Sequence, residues 1–193
     1  DLVFVWGGDG MVQRCIDTLD GTGVTLAILP AGTANLLATE LAIPTDIEAA
    51  VEVGLHGRRR PLDVGTVNGE HFAVMAGTGF DARMIGDTSK SFKRKAGRAA
   101  YLWTGAKHLR AAATPVRIKV DGVDWFEGDA SCVIAANVGT ILGGVTAFPD
   151  AEPDDGVLEV GVVTAEGALA WSRVLARMAI GKPEGSPLAR TTS

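Results

Sequence analysis

The feature that most restricts this chain stands at its start. Leu2-Val3-Phe4-Val5-Trp6 is an unbroken apolar run of strand length that feeds straight into Gly7-Gly8-Asp9-Gly10. Past the glycines, Met11, Val12, Cys15, Ile16 and Leu19 recur at helical spacing. A buried strand, a glycine turn and a helix in direct succession open a parallel α/β layer, and such layers carry ligands at the carboxyl ends of their strands. A second strand and two helices follow. Val24 to Leu29 reads as a second buried strand stopped by Pro30, and Ala34 to Leu41 reads as helix ended by Pro44. Thr45-Asp46-Ile47-Glu48 has the form of a capping box and opens a helix through about Leu55, with Gly57 as its terminator.

At Arg58-Arg59-Arg60-Pro61 the pattern changes, and the boundary is placed there: residues 1–60 form a partial α/β nucleotide-binding domain, residues 61–193 a β-rich domain. Leu62 to Val67, Glu70 to Ala76, Val116 to Val120, Val123 to Glu127, Ser131 to Ala136 and Leu158 to Val163 are short, β-rich and bounded by turns such as Asn68-Gly69 and Asp121-Gly122. They predict a sandwich-like second part, interrupted by helices over Ser91 to Ala112 and Glu166 to Ile180. The chain starts inside a strand pattern with neither an initiator Met nor a signal-peptide layout, so it reads as part of something longer.

Four clusters carry the chemistry. In Gly7-Gly8-Asp9-Gly10 the glycines let backbone N–H groups approach phosphate without a Cβ clash, and the helix N-terminus adds positive partial charge. Asp9 would repel bare phosphate, so its work is to hold Mg²⁺ or polarise an attacking hydroxyl. The second loop, Pro30-Ala31-Gly32-Thr33-Ala34-Asn35, offers the Thr33 hydroxyl and the Asn35 amide to the same ligand; the structural alternative makes Thr33 a helix cap. Ala76-Gly77-Thr78-Gly79-Phe80-Asp81 is read as a glycine turn after a strand, with Asp81 beside it. Pro149-Asp150-Ala151-Glu152-Pro153-Asp154-Asp155-Gly156 packs four acids before a glycine; oxygen-rich turns of this type suit Mg²⁺ or Ca²⁺, and a solvated acidic turn is the alternative.

Charge is segregated. The chain carries a net −5, yet Arg83 to Lys119 holds ten Lys or Arg against one acid, Asp87. That asymmetry points to a localised anionic partner and away from general nucleic-acid binding. Within it, Lys90 to Arg98 precedes Tyr101, Leu102 and Trp103, a combination able to rest on an anionic leaflet, or else to pack its aromatics inward and solvate its lysines. Cys15 and Cys132 form no CxxC pair, which excludes a zinc ribbon and a disulfide scaffold and fits a reducing cytoplasm. Two uncharged stretches, Gly21 to Thr39 and Ala130 to Pro149, are broken by Gly, Asn and Pro and read as strand plus loop, not as membrane spans.

Taken together and in order, GGDG, PAGTAN, GTGFDA and the PDAxPDDGxLEV segment resemble the diacylglycerol kinase catalytic-domain family, which includes bacterial lipid kinases and sphingosine kinases. The resemblance covers nearly the whole chain. It implies ATP-dependent phosphorylation of a lipid hydroxyl in a cleft between an α/β domain and a β-sandwich, by a cytoplasmic protein that visits the membrane surface; a homodimer is left open. Position by position it implies Gly7, Gly8, Asp9 and Gly10 as the nucleotide loop, and Gly32, Thr33 and Asn35 as a second nucleotide contact. Asp9 and Asp81 would be catalytic, and Asp154 and Asp155 would match the Mg²⁺ segment. Met11 and Leu36 depart from the family pattern, where Thr and Asp usually stand, and the family's later Asp-Gly-Glu segment is absent. Two alternatives stay open: a soluble kinase of the NAD kinase or phosphofructokinase type, and a non-catalytic lipid- or nucleotide-binding remnant.

Overall fold

A computed structural model describes residues 1–79, 113–141, 145–179 and 189–192. Strand β1 (Leu2–Gly7) leads into helix α1 (Asp9–Leu19), and β2 (Thr25–Pro30) returns parallel to β1, with Trp6 opposite Leu29 and Gly7 opposite Pro30. The two glycine loops therefore leave the sheet side by side. One face of the pair packs on α1 through Val5, Val12, Ile16 and Ile28. On the other face lies α3 (Ile47–His56), whose Gly54 sits against Phe4 and Ala27. Between them, α2 is a short helix, Leu36–Glu40. The N-cap of α3 is Asp46, whose carboxylate accepts the Ala49 N–H at 2.9 Å, so the helix starts one residue later than a Thr45 capping box would place it.

Two hairpins follow the sequence signals. Strands β3 (Gly65–Val67) and β4 (Glu70–Phe72) turn at Asn68-Gly69, with φ of 53° and 85°. Strands β6 (Thr114–Val120) and β7 (Val123–Ala130) turn at Asp121-Gly122, with φ of 50° and 81°. Two successive left-handed residues match the twist of antiparallel strands, which is why Asn-Gly and Asp-Gly recur there.

The second part is built on a four-stranded antiparallel sheet of order β12-β11-β8-β5, from β5 (Met75–Gly79), β8 (Cys132–Ala136), β11 (Glu159–Val163) and β12 (Ala189–Thr192). A small pair, β9 (Thr140–Ile141) and β10 (Val145–Thr146), lies beyond β8. Helix α4 (Gly167–Ala179) packs Trp171 and Val174 onto Cys132, Val163 and Ala165. The expected single strand from Glu70 to Ala76 is split: β4 ends at Phe72, and β5 takes over at Met75 after pairing has switched from β3 to β8. The helix expected over Ser91 to Ala112 and the basic stretch Lys90 to Arg98 lie outside the described residues.

One core runs through both parts. Val5, Val12, Ile16, Ile28, Leu37 and Ala38 of the α/β layer share a buried cluster with Ala73 and Val138. Neither Cys15 nor Cys132 is in a disulfide. No helix among the described residues is long and apolar enough to cross a membrane.

Candidate functional site

The first two sequence clusters come together at the carboxyl ends of β1 and β2. The Ala31 N–H donates to Gly7 O at 2.9 Å, tying one loop to the other. At Gly8 and Gly32 the backbones touch: a Cβ on Gly32 would lie 2.5 Å from Gly8 Cα, and a Cβ on Gly8 2.8 Å from Gly32 Cα. Only glycine at both positions lets the loops approach this closely. Gly10 is different, since a Cβ there would meet nothing within 4 Å. Its backbone opens on free space at the N-terminus of α1, where N–H groups lack helical partners.

Asp9 is the first residue of α1, half-buried, and its Oδ1 accepts the Leu37 N–H of α2 at 3.4 Å. A carboxylate placed at two helix starts is held by both sets of N–H dipoles. Asn35 is committed in another way. It sits in the left-handed region (φ 48°, ψ 49°), and its side chain closes on Gly32, Oδ1 accepting the Gly32 N–H at 2.8 Å and Nδ2 donating to Gly32 O at 3.0 Å. The amide expected to reach toward a nucleotide thus shapes the loop. Thr33 is exposed and does not cap α2, whose N-cap is Asn35.

In its described residues the third cluster is strand, where a glycine turn was expected. Gly77 and Gly79 lie within β5, and Gly79, at φ 93°, packs so tightly on Ser131 O and Cys132 Cα of β8 that a side chain would collide with backbone. The sequence reading took glycine as a turn signal where its job is close strand pairing. Asp81 lies outside the described residues.

In the acidic turn the four carboxylates divide. Asp154 Oδ2 is 3.3 Å from Arg60 Nη1, and Asp155 Oδ1 accepts the Val157 N–H at 2.9 Å. Burial holds the carboxyl of Glu159 above the usual glutamate range, and the nearby charges of Asp150 and Asp155 push it further the same way. Among the described residues no group of three or more His, Cys, Asp or Glu side chains is arranged to hold a metal ion. Each of the two expected ligands thus has one carboxylate oxygen engaged.

Three residues that sequence reasoning passed over anchor these loops. Asp63 binds the acidic turn at two points: its N–H donates to Pro153 O at 2.8 Å and its Oδ2 accepts the Gly156 N–H at 2.6 Å. Asn137, fully buried, donates from Nδ2 to Asp63 O at 2.7 Å and Ala73 O at 3.1 Å, while its Oδ1 has no partner among the described residues. Gln13 bridges α1 to His71 of β4 and to Ala73 just after it. Each acts on backbone groups far away in sequence, which leaves no local pattern to read.

Fold and site together define an α/β layer with two touching glycine loops, followed by a β-rich part built on a four-stranded antiparallel sheet. Residues 1–67 match the family model of the diacylglycerol kinase catalytic domain, and residues 74–187 that of the YegS C-terminal NAD kinase beta sandwich-like domain. The chain belongs to this diacylglycerol kinase and YegS-like lipid kinase family. A diacylglycerol kinase of Mycobacterium tuberculosis is 31% identical over 167 residues, a match covering 83% of this chain and 54% of that protein. A probable lipid kinase YegS-like protein of Pseudomonas aeruginosa is 37% identical over 160 residues, covering 81% and 52%. A crystal structure of a diacylglycerol kinase from Bacillus anthracis superposes with a TM-score of 0.74 at 30% identity, covering 100% of this chain and 64% of that one. The chain thus spans about half the length of the curated relatives it matches.

Proposed function

We propose that the protein containing this chain is an ATP-dependent lipid kinase that phosphorylates the hydroxyl of diacylglycerol or a related lipid alcohol. The observation that carries this reading is the meeting of the two glycine loops, with Gly10 open at the α1 N-terminus and Asp9 pinned beside it. The open backbone fits a polyphosphate, and phosphoryl transfer asks the protein mainly for positioning and charge neutralisation. Gly8, Gly10 and the α1 N–H groups would cradle phosphate oxygens. Asp9 would hold Mg²⁺ carried in with the nucleotide, which supplies charge neutralisation when bound. Gly32 and Asn35 support this cradle by shaping the second loop, and Thr33 is left free to contact the nucleotide. In the sandwich, Asp155 is the proposed Mg²⁺ ligand, and Asp81 the proposed carboxylate near the acceptor hydroxyl. A lipid acceptor requires work at a membrane surface, for which Lys90 to Arg98 is the proposed anionic-lipid contact.

The test is transfer of labelled phosphate by the full-length protein to diacylglycerol, with NAD as a second acceptor. Asp9→Asn is expected to lower turnover about 10²-fold or more, the size of effect seen when one electrostatic contact to a transition state is removed, with the thermal unfolding midpoint unchanged. Turnover at the wild-type level in that variant would refute the role of Asp9, and transfer to NAD alone would replace the lipid reading with the soluble-kinase one.

A further inference from the structure

Gln13 stands one helical turn after Asp9 on α1, and its side chain leaves the helix for the segment that joins the two parts of the chain. Nε2 donates to His71 O at 2.8 Å, and the Ala73 N–H donates to Oε1 at 3.3 Å. One amide thus satisfies an acceptor and a donor two residues apart on one strand edge, as a neighbouring strand would. Nε2 also lies 3.2 Å from Asp17 Oδ1, which fixes which end of the amide is the donor. Around it, the His71 ring sits between the carboxylate of Asp17 on α1 and that of the C-cap Asp20, Nδ1 3.5 Å from Asp17 Oδ1 and Nε2 3.7 Å from Asp20 Oδ2. Beneath it, Val12 and Ile16 share their core with Ala73.

The far side of the segment is fixed too, because Ala73 O accepts from the buried Asn137 amide at 3.1 Å. Two residues later β5 begins, and it runs to Gly79, two residues before Asp81 in the sequence. Helix α1 therefore has Asp9 at its tip, and Gln13 holds it to His71 of β4 and to Ala73, two residues before β5 begins. We infer that Gln13 is a positioning residue: it touches no reactant, and it sets where the nucleotide loop stands relative to β5 through its two hydrogen bonds to residues 71 and 73. The inference rests on the kinase reading above. In-line transfer is sensitive to such placement, and an error of about 1 Å is able to lower a rate by about 10²-fold.

Two variants of the full-length protein separate the hydrogen bonds from packing. Gln13→Met keeps the length and loses both bonds; Gln13→Glu keeps the acceptor for Ala73 and loses the donor to His71 O. For Gln13→Met we expect kcat on diacylglycerol to fall about tenfold while MgATP binding, measured directly at equilibrium, stays within about twofold, since the Gly8 and Gly32 contact does not involve Gln13. The Ala73 amide should exchange with solvent faster in Gln13→Met, and at the wild-type rate in Gln13→Glu, which should also recover part of kcat. An unchanged kcat, or a fall matched by an equal loss of MgATP affinity, overturns the inference. If the wild-type protein phosphorylates no lipid alcohol, the kinase reading fails, and amide exchange decides the clamp by itself: faster exchange at Ala73 in Gln13→Met upholds it, and equal exchange in both proteins overturns it.

Discussion

Glycine serves two different ends in the paired loops, and single methyl groups tell them apart. At Gly32 a Cβ would fall 2.5 Å from Gly8 Cα and 2.7 Å from Asn35 Oδ1. Neither neighbour is a side-chain tip free to swing away, since Asn35 is locked to Gly32 by its own two hydrogen bonds. Gly32→Ala should therefore destabilise the fold by about 1–3 kcal/mol, the range for forcing atoms into packed space, and denaturant unfolding will measure it. Gly10→Ala meets no protein atom within 4 Å, so its stability should stay within about 0.5 kcal/mol of wild type. The same change should weaken MgATP binding, because the methyl group occupies the space a phosphate would enter. Equal stability losses in the two variants would show that Gly10 is needed by the fold itself.

Among the described residues, β11 carries the one carboxyl whose ionisation is opposed by its surroundings. Glu159 is raised chiefly by burial, then by Asp150 and Asp155. Between its unfolded and folded values the native protein binds more protons than the unfolded chain, so stability falls as pH rises through that window, from the ordinary glutamate range upward, and levels off above it. Glu159→Gln should match wild type at about pH 4 and exceed it at about pH 7 in thermal midpoint. An identical difference at both pH values would assign the effect to shape, not charge. The regular elements were also the legible part of this molecule. The apolar runs of β1 and β2, the spacing of α1 and the Asn-Gly and Asp-Gly hairpins are set by neighbours within a few residues, and such information is local. GGDG and PAGTAN were legible as strand-end loops for the same reason. What sequence left hidden depends on distant contacts. The glycines of β5 read as a turn because nothing nearby announces that β8 will press on them, and Asn35 read as a free amide because its closure on Gly32 needs a left-handed backbone at that residue. The boundary segment showed only three arginines and a proline, while its structural weight falls on Asp63, whose partners lie 74 and 93 residues away.

At the scale of the whole molecule, segment 60–74 is where the two parts are joined, and two sets of hydrogen bonds converge on it. From the α/β side Gln13 holds the Ala73 N–H, and from the sandwich side Asn137 holds Ala73 O and Asp63 O. Asp63 then carries the connection to the acidic turn through Pro153 O and the Gly156 N–H, beside the ion pair of Arg60 with Asp154. Asp63→Ala leaves the main-chain links in place and removes only the carboxylate on Gly156. That bond is charge-assisted and partly exposed, and its loss should destabilise the protein by about 1–2 kcal/mol and speed amide exchange at Gly156. Gly156 as protected as in wild type would mean that the turn holds its shape without Asp63. A sharper question is whether the two sets of bonds act as one. Gln13 and Asp63 share no direct contact, and independent sites add within about 0.3–0.5 kcal/mol. If segment 60–74 moves as a single body, loosening it from one side removes part of what the other side had left to hold, and the double variant Gln13→Met/Asp63→Ala should lose less stability than the two single losses combined. Strict additivity in denaturant unfolding would instead divide the junction into two independent contacts, and the nucleotide loop would then be mechanically separate from the acidic turn.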